Sequence, residues 1–231
     1  MPTHFIIAGT AFALQERILD LAGTRLKIAS IPYSPATLDR ISALAGLKER
    51  AWPYWLEDWP ATWALASVLA GEERETLTAS GPVLDLGCGS GVMGAWFGAR
   101  FGIAAYACDF NSDACRLAAL NAVGNGVGAG AGRVFCADMR TMPVRARFGL
   151  LLAGEMLYAR ENHAPILAFL KDHLAPGGRA LLADKGRAAA EGFSAAARAA
   201  GFSVAEREAS SEGRRAIIYD LRVPREPRDP A

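Results

Sequence analysis

The sequence predicts an α/β fold in which a mostly parallel sheet is flanked by helices on both faces, and three observations point to it. From Pro82 onward short apolar runs alternate with amphipathic stretches, the pattern of strands joined by crossover helices. The first run, Val83-Leu84-Asp85-Leu86, breaks into a glycine-rich turn, Gly87-Cys88-Gly89-Ser90-Gly91, that feeds a helical pattern through Val92 to Phe97. The 231 residues can bury roughly 70% of the unfolded surface, enough for one large domain or one domain with an appendage.

Taken in order along the chain, two short apolar runs between Arg17 and Ser30 flank Gly23-Thr24 and read as a hairpin outside any βαβ unit. Residues 1–50 are therefore read as an N-terminal extension. A dense aromatic stretch follows, Trp52-Pro53-Tyr54-Trp55 with Trp59-Pro60 and Trp63, and it enters a helical pattern through Leu65 and Leu69. Strands are expected at Pro82 to Gly87, Ile103 to Asp109, Val134 to Asp138, Phe148 to Glu155, Arg179 to Asp184, Ser203 to Arg207 and Ala216 to Arg222. Helices fall between them, the Ala-rich run from Ala188 to Ala200 being the clearest. Gly124 to Gly132 carries glycines at alternate positions and reads as a loop. Pro224, Pro227 and Pro230 among charges predict a disordered tail over residues 223–231.

Composition excludes several function classes. With 25 basic against 24 acidic residues the net charge is +1, and no Lys/Arg cluster compensates, so nucleic acid is not an expected partner. Cys88, Cys108, Cys115 and Cys136 lack C-x-x-C spacing, so no metal site is expected, and they read as small buried hydrophobes of a reducing compartment. No apolar run approaches the ~20 residues that span a bilayer, and Met1 to Leu14 lack signal-peptide features; the expectation is a cytoplasmic protein away from membranes. His4, His163 and His173 are isolated from any partner set and read as surface or helix residues. Ser90 lacks the G-x-S-x-G setting of a hydrolase nucleophile.

The turn after the first strand lets backbone approach a ligand and offers it helix N–H groups. Gly89-Ser90-Gly91-Val92-Met93-Gly94 fits the dinucleotide pattern G-x-G-x-x-G, and Asp109 lies twenty residues after Gly89, so spacing alone leaves a dinucleotide nearly tied with another adenosyl ligand. Asp85, inside the strand, can hold a cationic amino-acid moiety and repels phosphate. Ala137-Asp138 places a short polar side chain where an adenine amino group can meet it. The turn Leu174-Ala175-Pro176-Gly177-Gly178-Arg179 resembles one frequent in class I methyltransferases.

On these residues the stretch from Ala51 to residue 222 resembles the class I, seven-β-strand, S-adenosylmethionine-dependent methyltransferases. That resemblance implies a Rossmann-like, seven-stranded sheet with an antiparallel last strand. Asp109-Phe110-Asn111, Leu120-Asn121-Ala122 and Asn125-Gly126-Val127 resemble the branch holding the ribosomal-protein methyltransferases and the lysine methyltransferases of the electron-transfer-flavoprotein beta subunit. Pro53-Tyr54-Trp55 with Trp59-Pro60, and Glu155-Met156-Leu157-Tyr158 as a (D/E)-x-x-(Y/F) motif, are similar to the lysine branch. Asp184-Lys185-Gly186-Arg187 is similar to an Asp-Pro-Gly-Arg turn there, with Lys185 in place of the proline.

The resemblance implies S-adenosylmethionine as cofactor, with S-adenosylhomocysteine as product. It implies that Asp85, Gly87, Cys88, Gly89 and Gly91 line the methionine side, that Asp109 takes both ribose hydroxyls, and that Asp138 and Met139 border the adenine. Trp59 packs against the cofactor in this reading and Gly154 approaches its methyl-bearing end, while Glu155 and Tyr158 handle the acceptor, a protein lysine. Ordinary core packing for Trp59, a capping role for Asp138 and a helix start at Glu155 are the alternatives. Two other functions stay open: a small-molecule N-methyltransferase with the same cofactor site, and a non-catalytic cofactor-binding module in which Trp52, Trp55 and Trp63 face a partner.

Overall fold

The computed structural model describes residues 2–45, 53–127, 133–143 and 145–223; Trp52, part of the expected glycine loop and the end of the expected tail lie outside them. The chain begins with β1 (His4–Ile7) and β2 (Thr10–Ala13), then β3 (Gln15–Leu21), β4 (Thr24–Ser30) and α1 (Pro35–Ala45). A short 3-10 turn at Tyr54–Leu56 leads to α2 (Pro60–Leu69), α3 (Arg74–Thr78), β5 (Val83–Leu86), α4 (Val92–Phe101), β6 (Tyr106–Asp109), α5 (Ser112–Gly124) and β7 (Val134–Cys136). Next come β8 (Phe148–Gly154), α6 (His163–His173), β9 (Leu174–Asp184), α7 (Phe193–Ala199), β10 (Ser203–Ser211) and β11 (Arg214–Arg222).

Seven strands form one sheet in the order β10-β11-β9-β8-β5-β6-β7. The pairs β5 with β8, β8 with β9 and β6 with β7 are parallel, whereas β11 runs antiparallel to both β9 and β10. The fold is thus the predicted α/β, Rossmann-like one, with its last strand inserted antiparallel.

The chain divides into two compact units, Met1–Asp58 with Cys88–Cys136, and Trp59–Gly87 with Ala137–Ala231. In the first, β1–β2 and β3–β4 are each antiparallel hairpins. The hairpin expected near Gly23 is present and starts two residues earlier than expected, at Gln15; the β1–β2 hairpin was not legible in the sequence. The two-residue turn of the β3–β4 hairpin has positive φ at both central residues, Ala22 (49°) and Gly23 (75°), the geometry that matches strand twist and that glycine enters without a Cβ clash. Phe5, Ile7, Phe12, Ala29, Ile31 and Trp55 bury themselves in one cluster against Ala114 and Leu117 of α5. Each buried Phe, Ile or Leu side chain of this cluster contributes about 1.5–3 kcal/mol. The indole N–H of Trp96 in α4 donates to the Leu21 carbonyl at 2.8 Å, closing the hairpin onto the helix.

In the second unit, Phe148 to Ala153 are all buried, as a central strand covered on both faces requires. Arg179 of β9 fastens the antiparallel neighbour by donating Nη2 to Asp220 at 2.8 Å, and it reaches Glu72 with Nη1 at 2.7 Å.

Several boundaries differ from expectation. The Ala188 to Ala200 run is not one helix: a 3-10 turn, Ala188–Ala190, stops before Gly192, whose φ of 80° resets the backbone for α7. The Pro-Gly-Gly turn lies within β9, since Leu174 pairs with Phe148 and Arg179 with Leu150, so Ala175 to Gly178 bulge out. Ile103 is not in a strand, because its N–H caps α4 on the Phe97 carbonyl at 3.2 Å. Cys88, Cys108 and Cys115 are buried as expected, but Cys136 is exposed. Among the described residues no helix is long and apolar enough to cross a membrane.

Candidate functional site

Within the first unit the residues Cys88, Gly89, Gly91 and Asp109 come together. The Cys88 N–H donates to the Cys108 carbonyl at 3.0 Å, and the Gly89 N–H to Asp109 Oδ2 at 3.0 Å. Oδ1 of Asp109 accepts the Asn111 N–H at 2.9 Å, and Asn111 in turn caps α5 by accepting from Asp113 and Ala114. Both carboxylate oxygens are therefore held by backbone N–H groups, and the Phe110 N–H adds a third donor to the carboxylate. Asp109 is 8% exposed, and burial raises its pKa against the opposing effect of these backbone donors. Phe110, the next residue, stands 59% exposed and was assigned no role from sequence.

Gly91 stands before α4 with φ 78°, and a Cβ there would sit 2.6 Å from Cβ of Ala118. The glycine thus serves close packing of α4 on α5 as well as the turn. The first N–H groups of α4 have no carbonyl partner within the helix, which makes this terminus suited to an electron-rich ligand group.

Asn121 of α5 is fully buried and reaches the same turn, donating Nδ2 to the Ser90 carbonyl at 2.9 Å. Sequence reading found the residue, in Leu120-Asn121-Ala122, without finding its contact.

In the second unit Asp85 is buried in β5, in register with Leu152 of β8. Gly87 has φ 69° and lies against the Met156 thioether. Glu155 follows Gly154 at the end of β8 in the left-handed region, φ 57°, a conformation that costs a non-glycine residue on the order of 1 kcal/mol. It is held there by four contacts. Its N–H donates to the Ala183 carbonyl at 2.7 Å, Oε1 accepts the Ala61 N–H at 3.3 Å, Oε2 accepts the Lys185 N–H at 3.5 Å, and Oε2 is also ion-paired with Arg187. Arg187 pairs with the fully buried Asp184 as well, at 2.6 Å. Burial raises the Glu155 pKa and Arg187 works in the opposite direction. No helix starts at Glu155; the carboxylate instead meets the first turn of α2.

Trp59 is the N-cap residue of α2, half-buried, with Lys185 Nζ 5.2 Å and the Arg187 guanidinium 5.3 Å from its ring centroid. Tyr158 is 52% exposed, and Trp63 is buried beneath Arg214. Asp138 takes the capping role, accepting the Arg140 N–H at 2.8 Å at the head of the 3-10 turn Met139–Thr141. Arg140 also donates to Asn162, whose Nδ2 donates to the Met156 carbonyl, so Asp138 joins the loop after Glu155 through two intermediaries.

Residues 83–178 match a methyltransferase domain family. No curated protein matches the chain. Among solved structures, a TehB-like SAM-dependent methyltransferase from Corynebacterium glutamicum is similar at 16% identity, with a TM-score of 0.52 over 82% of this chain and 96% of that one. The glycopeptide N-methyltransferase MtfA is similar at 17% identity, with a TM-score of 0.53 over 63% of this chain and 90% of its own. The [4+2]-cyclase SpnF is similar at 19% identity, with a TM-score of 0.55 over 74% and 86%. These likenesses establish the fold, and the cyclase among them means that the reaction must be argued from the site.

Proposed function

We propose that this chain transfers a methyl group from S-adenosylmethionine to a nitrogen nucleophile, with a protein lysine side chain as the acceptor. The observation that carries the cofactor reading is Asp109 at the tip of β6. It is buried and fixed by backbone N–H groups on both oxygens, and as an acceptor-only carboxylate at a strand end it suits a ribose diol. The match of residues 83–178 to a methyltransferase domain supports the same cofactor rather than a dinucleotide.

In this reading Cys88, Gly89 and Gly91 follow the methionine portion, with Gly87 and Asp85 supplying the end of the strand and a carboxylate for the amino group. Asp138 and Met139 border the adenine, Trp59 packs against the cofactor, and Gly154 approaches the methyl-bearing end. When bound, S-adenosylmethionine supplies an electrophilic methyl group on a sulfonium sulfur. The chain's own task is to hold a lone pair in line with it, and such alignment is worth roughly 7–11 kcal/mol.

A lysine amine with pKa ~10.4 costs about 4 kcal/mol to present in neutral form near pH 7.4. A lone Glu155 would raise that cost by favouring the ammonium. Its pairing with Arg187 offsets the charge, leaving Glu155 to orient the amine and Tyr158 to wall the approach. One observation favours a second reading, a small-molecule N-methyltransferase: the Glu155 and Asp184 carboxylates are spent internally while Lys185 is exposed beside Trp59, which suits a neutral or anionic acceptor.

Incubation with methyl-labelled S-adenosylmethionine and a cell lysate tests both. The lysine reading expects label in a discrete protein band, removed by Glu155→Gln with cofactor binding intact. Label only in the small-molecule fraction supports the second reading, and binding without any transfer refutes both.

A further inference from the structure

Asn121 on α5 and Asn125, the residue that caps its C-terminus, lie four residues apart, and both side-chain amides face the edge of β4. Asn121 accepts the Ala29 N–H at 2.7 Å and donates to the Ala29 carbonyl at 3.1 Å. Asn125 does the same to Lys27, at 2.9 Å in each direction. A side-chain amide carries a donor and an acceptor side by side, so each asparagine stands in for one residue of a neighbouring strand. The spacings agree: alternate residues of a strand point their backbone groups to one edge, and i, i+4 on a helix share one face.

The two asparagines differ in where the second amide N–H goes. Asn121 donates it to the Ser90 carbonyl, at 2.9 Å, inside the glycine-rich turn, whereas Asn125 donates it to the Asn121 carbonyl, at 2.8 Å, within its own chain segment. The other side of that same peptide unit, the Gly91 N–H, donates to the Cys88 carbonyl at 2.9 Å. The Ser90–Gly91 peptide plane is thereby pinned at both ends, between residues whose φ values of 52° at Gly89 and 78° at Gly91 leave the backbone few other restraints.

We infer that Asn121 is a positioning residue for the cofactor, orienting the Ser90–Gly91 peptide of the turn and coupling its geometry to the edge of the N-terminal hairpin. This rests on the reading of the turn as the S-adenosylmethionine site. Asn125 is the internal control, because it makes the same strand contacts and does not touch the turn. Coupling between two places is reciprocal: whatever steadies the turn steadies the Ala29 edge to the same extent.

The test is calorimetric titration of the full chain with S-adenosylhomocysteine, for the wild type, Asn121→Ala and Asn125→Ala. Wild-type binding is expected, with a Kd at least tenfold weaker for Asn121→Ala and within twofold of wild type for Asn125→Ala, although both variants lower the melting temperature. Equal losses in the two variants, or none, overturn the inference and leave the cofactor reading standing. Absence of wild-type binding overturns the cofactor reading itself. Should Asn121→Ala not fold, residue-resolved amide exchange on the wild type decides. S-adenosylhomocysteine is expected to slow exchange at Ala29 more than at Lys27, and equal or no protection refutes the coupling.

Discussion

Glu155, at the end of β8, is ion-paired with Arg187, thirty-two residues further along the chain, and the pair is nearly closed to solvent. The guanidinium also serves Asp184, so a single cation balances two buried carboxylates. Removing one partner of a buried pair leaves an uncompensated charge, which costs more than the pair itself contributes. Arg187→Met is therefore expected to lower unfolding free energy by about 3 kcal/mol at pH 7.5, the lower end of the usual range because the Arg187 side chain keeps 19% exposure. Urea unfolding measures it, and a loss below about 1 kcal/mol would show that water relieves the two acids.

Asp109 carries the cofactor reading, so Asp109→Ala is expected to abolish S-adenosylmethionine binding in calorimetry. Unchanged affinity removes the residue from the site. Acidification gives an independent check. Burial holds the Asp109 carboxyl above its ordinary value, and protonation converts one diol acceptor into a donor. Cofactor affinity should then decline on acidification while the pH is still above ~4, where an ordinary carboxylate remains ionised.

Gly91→Ala adds two penalties, the left-handed φ of 78° and the overlap with Ala118. The first costs ~1–2 kcal/mol and the second about 1–3 kcal/mol. Gly126→Ala isolates the first, because φ there is 76° and nothing lies within 4 Å of the added Cβ. Paired unfolding curves should show the larger loss at Gly91, and equal losses would mean that α5 yields to the methyl group.

His163 opens α6 with its ring against Phe193 at 5.2 Å, and burial lowers its pKa, with the Arg160 charge acting in the same sense. Its folded value lies below the unfolded one, so at pH below about 6.5 the unfolded chain binds more protons and stability is lost as the pH falls. His163→Phe keeps the ring contact and removes the proton site. Its melting temperature should fall less than that of the wild type between pH 7.5 and 5.5, and parallel falls would exclude the residue.

The parallel sheet was legible because buried strands such as Phe148 to Ala153 are continuous apolar runs, and the turn because few sequences place three glycines in five residues after a strand. Elements decided by a single residue were misread: Gly192 outweighs the alanines around it, and the Ala8-Gly9 turn joins strands too short to announce themselves. At the site, Asp109 could be found by its distance from the glycines. The partners of Glu155 could not, since Ala61 and Arg187 are brought to it by packing from far along the chain. Arg187 lay in a quoted motif, Asp184-Lys185-Gly186-Arg187, but a motif gives no partner.

The unequal burial of the four thiols has a practical outcome. Cys115 is pushed up to about 12 by burial, and Cys88 and Cys108 are shielded too, while Cys136 lies open with Sγ 3.3 Å from the Phe110 carbonyl. The thiolate is the reacting species, so a maleimide dye should attach to the native protein once, at the strand tip beside Asp109 and Phe110. A fluorophore fixed there can report ligand arrival without any engineered cysteine.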